Sequence, residues 1–136
     1  MEPGEESPED FAQRFAAWAA SGQYRPLSFA SPLYEFSSGG VVIFVFDRIP
    51  DFSSPGPAKV VIHAWAEEVL TSLEPPGLAD LGGGRWRIAG QVQAVLEPPY
   101  SVVAAGIPVV IGSKTPPPLG QGVVVLSEPP LMGFRL

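Results

Sequence analysis

Residues 85–96 alternate without interruption: Trp86, Ile88, Gly90, Val92, Ala94 and Leu96 fall on one side, and Arg85, Arg87, Ala89, Gln91, Gln93 and Val95 on the other. A period of two held for twelve residues predicts a long strand with one face on a core and the other mostly towards water. The turn-like Glu97-Pro98-Pro99-Tyr100 follows, and an apolar run over 101–111 predicts a strand returning against the first. Glycine weakens a strand interior unless the strand bends or another backbone approaches closely, so Gly90 and Gly106 point to the corners of a small closed sheet.

The remaining segments read mainly as strands. Residues 24–36 carry apolar side chains cut by Pro26 and Pro32, as an irregular or edge strand does. Val41 to Phe46 is an unbroken β-branched and aromatic run, which predicts a central strand buried on both faces. A loop is expected over 50–57 and a strand from Lys59. Trp65, Val69 and Leu73 also fit helical spacing, leaving 65–73 open between strand and helix. A glycine-rich loop is expected over 74–84, and two short strands over 123–126 and 131–136. Glu-Pro-Pro occurs at 74, 97 and 128, each time after an apolar segment, where proline removes a ladder donor and ends the strand.

One helix is expected, over residues 8–21. Ser7 supplies the N-cap, Pro8 the first helical position, and Glu9 and Asp10 the carboxylates that a helix start favours, while Ser21-Gly22 supplies the stop. Phe11, Phe15 and Trp18 lie on one stripe, which either caps the sheet or docks on a partner. Residues 1–6 read as a disordered acidic lead-in and 7–136 as one β-rich domain, a size that can bury a real core. The expected fold is mainly β: a small antiparallel barrel, OB-like or related and partly open, with one N-terminal amphipathic helix. A two-sheet sandwich is the second choice.

Composition narrows the chemistry. There is no cysteine, which excludes disulfides, thiolate metal sites and thiol nucleophiles. His63 is the single histidine, so no His pair can ligate a metal or relay a proton, and no cofactor fingerprint or nucleophile elbow is present. Asp47 with Asp51, or Glu67 with Glu68, are the available carboxylate pairs, but turn aspartates serve local hydrogen bonds, and adjacent strand glutamates face opposite sides. Gly82-Gly83-Gly84-Arg85 lacks the following helix of a phosphate loop and reads as a connector. The expectation is a domain with no cofactor and no bound metal.

The net charge of −6 disfavours nucleic acid, although five of the fourteen carboxylates lie in the first ten residues and the rest nearly balance the eight bases. Only 16% of residues are charged, leaving apolar surface for contact with a second copy or another protein. No secretory leader or membrane-length apolar run is evident, so a cytoplasmic, non-membrane protein is expected. The absence of asparagine, two lysines and 17 prolines suit a thermophilic or GC-rich host. The leading functional expectation is therefore a non-enzymatic binding or assembly domain working through protein–protein contacts, self-association included. The alternative is single-stranded nucleic-acid or small-ligand binding on a barrel face, with Arg85, Arg87, Gln91, Gln93 and Tyr100 as candidate residues.

Overall fold

The computed structural model describes residues 6–28, 31–49 and 55–136. The acidic lead-in, apart from Glu6, lies outside the described residues, as do Asp51 and most of the loop expected over 50–57. Helix α1 covers Pro8–Arg14 and is followed by a 3-10 turn at Ala16–Trp18. The strands are β1 (Ala20–Pro26), β2 (Leu33–Ser38), β3 (Val41–Asp47), β4 (Gly56–Thr71), β5 (Gly77–Gly82), β6 (Arg85–Val95), β7 (Tyr100–Ala104), β8 (Pro108–Gly112), β9 (Gly122–Ser127) and β10 (Met132–Arg135).

Helix α1 starts as its sequence dictates, with the Ser7 hydroxyl accepting the Asp10 N–H at 3.1 Å. It ends sooner than the expected 8–21, because Ala20 to Tyr24 are taken up by pairing with residues 56–60 of β4. A strand ladder reached through tertiary contact outweighs the helix propensity of the alanines.

The strand pairings close a five-stranded barrel with extra strands attached, which is the small barrel expected rather than the sandwich. One circuit runs β1–β2–β3–β10–β4 and back to β1. A second runs β4–β8–β7–β6–β9 and returns to β4, so the sixteen-residue β4 is common to both. Pairing is antiparallel except for two short parallel contacts, β3 with β10 and β4 with β8. Among the described residues ten strands form where about seven were expected. The 74–84 segment contributes β5, which folds back on β6 across the glycines, and the single strand expected over 101–111 is cut in two at Gly106, whose φ of 89° makes the turn.

Residues 65–73 follow the ladder, with β4 running as strand to Thr71 against β9. Trp65 and Val69 do not share the stripe that helical spacing suggests, because a β-bulge between Ala66 and Glu68 leaves Trp65 facing out and Val69 facing in. Ala64 and Ala66 face the interior before it, Val69 after it, so the inward face passes from even to odd positions. The same device interrupts the long alternation in β6. Trp86, Ile88 and Val92 point into the barrel as expected, but the register shifts between Val92 and Ala94, and Ala94 and Leu96 then pack on the opposite side with α1. Gly90 meets the close approach the sequence called for, since a Cβ there would run into the Ala104 carbonyl. All three Glu-Pro-Pro segments fall in connections, after β4, β6 and β9.

The core has two layers. The barrel interior holds Tyr24, Phe36, Ile43, Val45, Ile62, Ile88, Val103, Ile111 and Val125 among others. A second cluster lies outside the barrel wall, where Phe11, Ala12 and Phe15 of the helical segment cover Val61, Val102, Val110 and Phe134. Among the described residues no helix is long and apolar enough to cross a membrane.

Candidate functional site

Two parts of the outer surface stand out. On β2 and β3 the inward positions are Tyr34, Phe36, Ile43 and Val45, so Leu33, Glu35, Val42, Phe44 and Phe46 face out. Leu33 is 42% exposed, Val42 51% and Phe44 40%, and Leu27, just beyond β1 and bonded to the Leu33 carbonyl, is 49% exposed. The expectation that Val41 to Phe46 is buried on both faces is therefore wrong for one face. Helix α1 packs over β4, β7, β8 and β10, and among the described residues Leu33, Val42 and Phe44 are left open on β2 and β3. Two-sided burial is met instead in β4, where Val60 to Ala64 are all buried, and in β7, β8 and β9, where Val102, Val103, Val109 to Ile111 and Val123 to Val125 are. The Arg25–Glu35 ion pair at 2.9 Å reaches into the open face from β1, and Glu35 sits directly opposite Phe44.

One row of outward residues crosses from this face towards the helix: Leu33, Phe46, Met132, His63, Val110 and Val102 are successive partners across the sheet. Where the row passes His63 it enters the second feature, a cleft of about 390 Å³ lined by Phe11, Arg48, His63, Trp65, Tyr100 and Phe134, with Glu6 and Met132 also on its wall. His63 is only 3% exposed and its ring lies 5.0 Å from Phe11, 5.1 Å from Trp65 and 5.7 Å from Tyr100. The sequence placed it on a semi-polar strand face; the aromatic surroundings are assembled from α1, β4, β7 and β10 and have no local signal. Its Nδ1 lies 2.7 Å from the Val110 carbonyl, so Nδ1 carries the proton and donates. Burial lowers the His63 pKa to about 4, against a smaller upward pull from that hydrogen bond. Trp65 lies flat over Gly112, where any Cβ would strike the indole ring, and remains 40% exposed.

The residues chosen from sequence separate. Arg85 pairs with Glu67 at 2.8 Å and Arg87 pairs with Glu74, so both guanidiniums are matched by carboxylates. Gln91 and Gln93 are exposed farther along β6, with Gln93 at the bulge. Tyr100 joins none of them. It stacks edge-on against Phe15 at 5.0 Å and Phe11 at 5.8 Å, with Arg14 over its ring at 5.2 Å. Phe11 and Phe15 of the candidate docking helix are buried against the chain's own sheet, and Trp18 is half-buried beside them.

The carboxylate candidates also resolve. Asp47 is buried and accepts the Tyr24 hydroxyl at 3.0 Å, and burial first, then this carboxylate, raise the Tyr24 pKa. Glu67 and Glu68 do not face opposite sides: the bulge turns both outward, where they line a second cleft with Ser113, Lys114 and Glu128. Among the described residues no group of three potential ligand side chains is arranged to hold a metal ion. In comparison with known proteins, the chain matches no family model, no curated protein and no solved structure.

Proposed function

We propose that this protein is a non-enzymatic binding and assembly domain that associates with a second copy of itself through the outer face of β2 and β3. The observation that carries this reading is the mismatch between strand and surroundings in β3. Its sequence, Val41 to Phe46, has the composition of a strand covered on both sides, yet Val42 and Phe44 lie open next to Leu33. Burying such side chains is worth roughly 25 cal/mol per Å² of apolar area, and a self-complementary contact between two copies would recover it. The Arg25–Glu35 pair runs from β1 to a position beside Phe44, a polar contact within the face that a second copy can meet with its own. Arg85 and Arg87 give a nucleic-acid platform less support, because each is already neutralised by a glutamate and Tyr100 faces the helix.

The test is solution mass by light scattering across a concentration series. A mass that rises to a dimer or larger in the native chain, and returns to the monomer in Phe44→Glu, is the expected result. A monomer at every concentration, or an oligomer indifferent to Phe44→Glu, would overturn the reading.

A further inference from the structure

The cleft beside helix α1 has features that self-association does not use. With Nδ1–H donated to Val110, the Nε2 of His63 is left with a lone pair and no hydrogen bond to any described residue. His63 lines the cleft, so this acceptor is offered to whatever enters. The walls are aromatic: Phe11, Trp65, Tyr100 and Phe134. Such walls favour a flat apolar ring, which gains from stacked or edge-on contact with them. At the rim, Arg48 is exposed and makes no ion pair with a described residue, whereas Arg14, Arg25, Arg85 and Arg87 each have a carboxylate partner. The other charged group on the cleft, Glu6, is engaged by Arg14 at 3.1 Å. A volume of about 390 Å³ suits a ligand of one or two fused rings.

We propose that this cleft binds a planar aromatic acid, with a ring N–H or O–H donated to His63 Nε2, the ring held among the aromatic side chains, and the carboxylate paired with Arg48. Each part answers one feature of the cleft: an unfilled acceptor, flat apolar walls and an unpaired cation. A cationic ligand in the same aromatic surroundings would gain cation–π contact but would leave His63 Nε2 without a donor and place like charge beside Arg48.

Indole-3-carboxylate is the probe, titrated into the full chain by calorimetry with ligand-observed NMR in parallel. Saturable binding of one probe per chain is expected. Affinity should fall at least about tenfold for 1-methylindole-3-carboxylate, which lacks the donor, and for indole, which lacks the acid. Arg48→Gln should weaken the acid about as much and leave indole unchanged. In His63→Phe the N-methyl and N–H acids should bind alike. Arg48 is exposed, so its variant keeps the test decisive if His63→Phe fails to fold. No saturable binding of the acid would overturn the proposal, as would equal affinity in Arg48→Gln, or tighter binding of benzyltrimethylammonium than of the acid.

Discussion

At the scale of single residues, the buried imidazole of His63 has the clearest consequence. Its pKa falls from 6.5 to about 4 because the surroundings penalise the charged form. In the unfolded chain the ring takes up its proton as pH drops through 6.5, while in the folded chain it stays neutral until about 4. The unfolded state therefore binds more protons in that window, and stability falls as the solution is acidified across it, levelling off below. The loss attributable to this one ring is roughly 3 kcal/mol. Urea unfolding at a series of pH values should show this slope, and His63→Phe should flatten it by about that amount. The single histidine is plain in the sequence, but its burial is not. Val61-Ile62-His63-Ala64-Trp65 reads as an ordinary strand, and the rings around His63 come from α1, β7 and β10.

At the scale of elements, the strands were legible wherever their period was unbroken. Trp86 to Val92 alternate in sequence and in space, and Glu-Pro-Pro marks three strand ends. The bulges were not legible, because one extra residue exchanges the two faces without changing composition. In β4 this makes Glu67 and Glu68 neighbours on the outside and returns Val69 to the core. Deleting Glu67 should therefore be tolerated far better than adding a residue beside it. The deletion removes the bulge and leaves Ala66 and Val69 inward with Glu68 outward between them, whereas an alanine inserted between Glu68 and Val69 turns Val69 outward, and the expected result of the insertion is loss of cooperative unfolding by circular dichroism. Glu67→Gln, which only breaks an exposed ion pair with Arg85, should change stability by no more than about 1 kcal/mol.

At the scale of the whole molecule, the barrel wall has an outer surface that is covered on one side and open on the other. Phe15 is 2% exposed beneath the helical segment, whereas Phe44 is 40% exposed on the uncovered strands. Phe15→Ala should cost about 3–4 kcal/mol whatever the protein concentration, since it opens a cavity over Val102 and Val110. Phe44→Ala at low concentration should cost much less, and its effect should grow with concentration if association covers the face. Thermal melts of both variants at two concentrations separate the cases.

Residue order settles what is local in this chain. It sets the period of each strand, the start of helix α1 at Ser7 and Pro8, and the stops at the paired prolines, because backbone preference and the hydrogen-bond ladder act over a few residues. It left undetermined where α1 ends, which strands carry a bulge, and which apolar faces find a cover. Those depend on contacts between segments far apart in sequence: Ala20 gives up the helix to pair with Val60, and β3 keeps one open face because the helix packs over β4, β8 and β10 instead. A side chain's hydrophobicity shows that it gains from burial. Only the packing of the folded chain determines whether its own chain provides that burial.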